Sequence, residues 1–211
     1  MNSTPNSKPT LFTVGHSNHQ LSHFIELVRN HGVGEIADVR SSPYSKFNPQ
    51  FNQDLLRSAL KEAGIRYSFF GKELGARRSE SVCYQDGKAV YDRIGKTAAF
   101  AEGLKEIRNR VQVEYLALMC AEHDPITCHR TILVCHALRH DRIDIMHIRK
   151  DGSIETMSSA EARLMDRWGL AEADLFRSRS ELLEEAYARQ ADRIAYVERD
   201  HNNEGASLIL R

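Results

Sequence analysis

The chain has 211 residues and a mass of 24.0 kDa, and its 29 acidic and 29 basic side chains balance. Without net charge, no global field draws in nucleic acid or an acidic membrane, so any basic surface must be local. The apolar runs are far too short to span a bilayer and the first ten residues lack the apolar core of a secretory signal, so a cytoplasmic protein is expected, with no membrane partner.

Residues 1–9 are polar with two prolines and read as a disordered leader. Leu11 to His16 reads as a strand that stops at Gly15-His16-Ser17-Asn18, where Ser17 or Asn18 can cap a helix carrying Leu21, Phe24, Ile25 and Val28 on one face. Gly32 and Gly34 close that helix, and Glu35 to Arg40 forms the second strand. A long proline-bearing loop then leads to a helix over Asn52 to Ala63, a third strand over Ile65 to Phe70, and an irregular excursion over 71–92. The spacing of Phe100, Leu104 and Ile107 predicts a helix from Thr97 to Arg110, followed by a central fourth strand, Val113 to Cys120. A helix over Cys128 to Arg139 and a fifth strand over Arg142 to Ile148 complete the alternation, with Asp151-Gly152 as a tight turn after it.

Strands alternating with helices define an α/β fold with a mainly parallel sheet flanked by helices in Rossmann-like layers. The α/β domain is assigned to residues 10–157. From Ser158 the composition turns to Ala, Glu, Arg and Leu, giving a helical C-terminal extension over 158–211 with helices near 158–168 and 171–198. Its charged, amphipathic helices offer a packing surface or a homodimer contact.

In open α/β sheets ligands bind beyond the carboxyl ends of the strands. Polar residues collect there: His16, Ser17 and Asn18 after the first strand, Asp38 and Arg40 at the second, Lys72 and Glu73 near the third, Cys120 and Glu122 at the fourth, His147 at the fifth. The densest stretch is Leu116 to Arg130, LALMCAEHDPITCHR. Together TVGHSN, IADVRSSPYSKFNPQF, GIRYSFFGKELG and LMCAEHDPITCHR resemble the bacterial domain-of-unknown-function family 488 over residues 11–150. The resemblance implies a polar site of His16, Ser17, Asp38, Arg40, Cys120, Glu122, Cys128, His129 and Arg130, and it implies no reaction.

The four cysteines, Cys83, Cys120, Cys128 and Cys135, make no small-domain disulfide framework in a chain this long, and each is read as a thiol. A thiol facing a helix N-terminus and Arg130 has its pKa lowered, so Cys120 or Cys128 is the candidate nucleophile, set against a bland role in the core. The standard phosphatase loop of Cys, five residues and Arg does not match, because Ile126 stands at the arginine position counted from Cys120 and Leu133 or Val134 counted from Cys128. Glu122, His16 or Asp38 is the candidate proton carrier. Arg40, Arg130, His129, Ser17, Lys72 and the helix start form the candidate anion site.

The expected partner is a phosphate-bearing small molecule or nucleic acid. Tyr44, Lys46 and Phe47, with Lys72, Arg77 and Arg78, offer the basic and aromatic mix that holds single strands, so a non-catalytic nucleotide or nucleic-acid module is the rival reading. A redox or metal sensor is the third. Cys120, Cys128, His129 and His16 are acceptable zinc ligands, but the paired spacings of zinc sites are missing, and adjacent helical residues diverge by about 100°. No cofactor is therefore expected.

Overall fold

A computed structural model describes residues 8–171 and 176–198. Most of the expected leader, the stretch 172–175 and the polar end HNNEGASLILR lie outside the described residues. The elements are β1 (Thr10–Gly15), α1 (Leu21–Asn30), β2 (Glu35–Asp38), α2 (Gln53–Glu62), β3 (Arg66–Phe69), α3 (Gly71–Leu74), β4 (Tyr84–Gln85), β5 (Lys88–Ala89), α4 (Tyr91–Gly95) and α5 (Ala98–Val111). They continue with β6 (Leu116–Cys120), α6 (His136–Leu138), β7 (Asp144–Ile148), β8 (Ile154–Thr156), α7 (Met157–Arg167) and α8 (Arg179–Ile194). The main sheet has six strands in the order β3-β2-β6-β1-β7-β8, with β8 alone antiparallel. The α/β class and the central place of β6 are as the sequence predicts. The hairpin partner β8 is additional: the Asp151-Gly152 turn folds the chain back onto the exposed edge of β7.

Because side chains alternate along a strand, β6 divides its residues between two cores. Leu116, Leu118 and Cys120 pack with α5, the segment after Cys128, α7 and α8, while Ala117 and Met119 pack with Phe24 and Val28 of α1 and Leu56 and Leu60 of α2. Strand connections leave β6 in opposite directions, β1 to β2 crossing it on one side and β6 to β7 crossing β1 on the other. That arrangement puts a crevice at the carboxyl ends of β1, β2 and β6.

Local chemistry explains several departures from the predicted boundaries. Ser17 does not cap α1: it takes a positive φ of 48°, and the helix starts after Gln20 with no side-chain cap. The helix expected from Cys128 starts at Arg130 and runs to Cys135 with π-type bonding before α6. Asp124 caps the turn Pro125–Thr127, its carboxylate accepting from the Ile126 N–H. α8 starts at Arg179 because Ser178 and Glu181 form a reciprocal capping box.

The C-terminal helices share the core of the α/β layers. Leu164, Met165, Leu182, Ala186 and Tyr187 are buried in the same cluster as Leu118 and Ile132. Each large apolar side chain buried this way contributes about 1.5–3 kcal/mol. Among the described residues no helix is long and apolar enough to cross a membrane.

Candidate functional site

The register brings Gly15 opposite Cys120 and Asp38 opposite Met119, so the three strand ends meet. Backbone pairing continues past them, from the His16 N–H to the Cys120 carbonyl and from the Val39 N–H to the Met119 carbonyl. The loop after β6 is held close to β1: a Cβ on Gly15 would fall 1.8 Å from the Glu122 carbonyl oxygen. Only glycine allows that approach.

The site residues named from the sequence separate into two groups on opposite faces of the sheet. On the α1/α2 face, Asp38 is fully buried and both its oxygens are engaged, by the Arg40 guanidinium at 2.6–3.1 Å and by the Tyr67 hydroxyl at 2.8 Å. His16 stacks on Phe51 with ring centroids 4.3 Å apart. Its Nδ1 lies 2.8 Å from the Ser17 carbonyl, and its Nε2 faces Arg40 Nη1 at 3.2 Å. Burial, together with the Arg40 charge, lowers its pKa to about 4. A neutral ring with the proton on Nδ1 satisfies both contacts. His16 and Asp38 therefore have no free atom for proton transfer in this arrangement. They aim Arg40, whose Nη2 also donates to the Phe51 carbonyl.

On the other face, Cys120, Glu122, Cys128 and His129 place one sulfur, oxygen or nitrogen each within 4.8 Å of one another. Glu122 Oε2 lies 3.0 Å from each sulfur, and His129 Nδ1 lies 3.5 Å from the Cys120 sulfur. Cys128 is extended (φ −128°, ψ 141°), which lets it and His129 converge although they are adjacent. His129 Nε2 bonds the Val39 carbonyl at 2.9 Å and ties the cluster to β2.

The charges are unequal across this group. Burial pushes the Cys120 thiol well up, reinforced by Cys128 and Glu122. At Cys128 burial also opposes ionisation, but the hydrogen bond from Cys120 and the positive charges of Arg130 and His129 outweigh it and hold this thiol low. Glu122 is raised, by burial of its carboxyl and then by the neighbouring Cys128. Burial disfavours the charged form of His129, yet its contact with Cys128 raises it overall.

Arg130 is not among the residues that line the cavity over this group. It is fully buried, donating to the Glu122 carbonyl at 2.6 Å, the His123 carbonyl at 3.2 Å and Thr13 Oγ1 at 3.3 Å, and so clamps the loop from beneath. His147 lies opposite Thr13, short of the rim, and is buried. Among the described residues the Ser17 side chain bonds its neighbour Asn18, and Lys72 is an exposed residue outside the cavity lining. Arg78 is buried and donates to the Lys72 and Glu73 carbonyls and to Glu80, so it orders the excursion over 71–92.

A cavity of about 290 Å³ opens over the cluster. Cys120, Glu122 and His129 reach it from below, Arg40, Ser41, Ser42 and Tyr44 from the loop after β2, and Arg77 and Tyr91 from the other wall. Ile194 and Tyr196 close it from the C-terminal extension, with the Arg77 guanidinium 4.5 Å from the Tyr196 ring centre. The same extension braces the loop: Arg163 of α7 pairs with Asp124 at 2.7 Å, and Gln190 of α8 donates to the Ile126 carbonyl at 2.7 Å. Tyr91, Arg163, Gln190 and Tyr196 had no signal in the sequence, because no motif links them to the cysteine loop.

Fold and site together define an α/β protein with a polar crevice at the carboxyl ends of parallel strands, built around two thiols, a carboxylate and an imidazole. The model of the domain of unknown function DUF488 matches residues 20–137, more than half of the chain, and the protein belongs to that family. A comparison with curated proteins found no match.

Proposed function

We propose that the protein is an enzyme acting on a small phosphate-bearing molecule bound in this cavity. The observation that carries the reading is the opening of the Cys120, Glu122 and His129 group onto the same space as two arginines. Arg40 has five N–H donors, and Asp38, Phe51 and His16 engage all but one of them, leaving an Nη1 hydrogen for a ligand. Arg77 is exposed, lines the cavity and makes no ion pair among the described residues, so it supplies a cation that an anion would meet. Ser41 and Ser42 add hydroxyls at the same wall. Glu122, exposed at the cavity and with its pKa raised, is the group placed to exchange a proton.

Size supports a small substrate over a nucleic-acid strand, since about 290 Å³ sits at the lower end of small-molecule pockets. The test is calorimetric titration with inorganic phosphate, sugar phosphates, nucleoside mono- and diphosphates and a short oligonucleotide. Arg77→Ala should weaken binding by about tenfold or more, the contribution of a charge-assisted hydrogen bond, while leaving the melting temperature nearly unchanged. Absence of binding across the panel, or binding only of the oligonucleotide, overturns the proposal.

A further inference from the structure

We infer that Cys120, Cys128, His129 and Glu122 form a binding site for one divalent transition-metal ion of the zinc type. This goes beyond the reading of the cavity as a phosphate site and does not depend on it.

Three independent features carry the inference. The first is donor type and geometry. Two sulfurs, one imidazole nitrogen and one carboxylate oxygen all lie within 4.8 Å of one another, with separations of 3.0, 3.0 and 3.5 Å among them. A tetrahedral ion with bonds of about 2.0–2.3 Å needs ligand edges of about 3.5 Å; the edges here run from 3.0 Å to no more than 4.8 Å and bracket that value, so side-chain rotations of the four donors close them around an ion. The spacing in sequence conceals this, because the divergence of adjacent residues applies to a helix and Cys128 is extended.

The second feature is the orientation of His129. Its Nε2 faces the Val39 carbonyl, which can only accept, so in the neutral ring the hydrogen is on Nε2 and the Nδ1 lone pair points into the cluster. Such a carbonyl contact is the usual way a ligand histidine is fixed. The third is charge. Two thiolates, a carboxylate and a dication sum to one negative charge, and the fully buried Arg130 guanidinium lies beneath the loop that carries them. Binding forms two sulfur–metal bonds and one bond each to the imidazole nitrogen and the carboxylate oxygen, and whatever protons the four donors still carry leave to solvent. Cys128 is buried away from the cavity and His129 is tied to the Val39 carbonyl, whereas Glu122 lines the cavity and is the most exposed of the four, so the carboxylate is the ligand a substrate or water can displace.

The experiment uses the full chain without a histidine tag, reduced, stripped with chelator and then titrated with Zn²⁺ and with Co²⁺. The expected result is one ion per chain by elemental analysis, thiolate-to-cobalt charge-transfer bands with the intense visible bands of a tetrahedral ion, and two of the four thiols shielded from a thiol reagent by zinc. Cys128→Ser should abolish the charge-transfer bands or halve their intensity. If that variant does not fold, Glu122→Gln, at an exposed residue, should still bind one cobalt with altered visible bands. The inference is overturned by a folded, reduced wild type that takes up no stoichiometric metal, by a cobalt spectrum without sulfur bands, or by a Cys120–Cys128 disulfide forming in place of metal uptake. Each readout is made without a phosphate ligand, so its failure is separate from failure of the phosphate reading.

Discussion

Gly15→Ala tests the way the sheet holds the cysteine loop. The added Cβ would lie 1.8 Å from the Glu122 carbonyl oxygen, 2.7 Å from its carbonyl carbon and 2.9 Å from the His123 Cα, all backbone atoms that cannot rotate away. Real Cβ contacts do not fall below 3.0 Å, so the loop must move by at least about 1.2 Å. That shift acts on the Arg130 Nη1 bond to the Glu122 carbonyl and disturbs the 3.0 Å contacts of Glu122 Oε2 with the two sulfurs. Overpacking of this kind costs about 1–3 kcal/mol. In a chain of this size, each kcal/mol lowers the melting temperature by roughly 2–4 °C. A displacement of about 1 Å at a reacting group can cost on the order of a hundredfold in rate. Thermal melts should therefore show a loss of several degrees, and cobalt titration a weakened or distorted site. A variant that melts with the wild type and binds cobalt identically would refute the tight approach of the loop to β1.

Two further outcomes follow from the packing. His16 and His147 are buried and neutral, with pKa values lowered by burial first, and then by Arg40 or Arg130, to about 4 and about 3. The unfolded chain binds protons at these groups below about pH 6.5 and the folded chain does not, so stability is complete above that pH and falls as the pH drops toward 4 and 3. Each histidine should contribute a loss of roughly 2 kcal/mol by pH 5. Urea midpoints compared at pH 7.5 and pH 5 measure it, and a flat profile with the His147→Leu variant equally flat would contradict the buried neutral rings. Deleting the chain from Ser178 onward removes Leu182, Ala186 and Tyr187 from the core and the Gln190 bond to the cysteine loop. Circular dichroism of the truncated chain should show loss of cooperative unfolding, whereas a detachable appendage would leave the melting temperature unchanged.

Much of the layered fold was legible in the residues because strands and helices here carry strong local patterns. Leu116 to Cys120 is apolar throughout, as a strand covered on both faces must be, and the helix through Phe100, Leu104 and Ile107 shows its spacing openly. Placement of His16, Asp38 and Cys120 at one rim was also legible, since each follows a predicted strand. Boundaries were less so where a side-chain bond decides them, as with Ser178 and Glu181 at α8.

What the residues determine by themselves is the element order, the parallel sheet and the chemistry available at its carboxyl edge, all of which depend on short-range periodicity. Only the tertiary structure decided how that chemistry is divided. Register and side-chain alternation send Asp38 and His16 to the α1/α2 face, where they hold Arg40, and send Cys120 to the opposite face beside Cys128 and His129. The extended backbone at Cys128 and the closure of the cavity by Ile194 and Tyr196 are likewise tertiary. They arise from packing between segments far apart in the chain, such as Gln190 with Ile126 and Tyr196 with Arg77, and no local pattern encodes a contact at such distances.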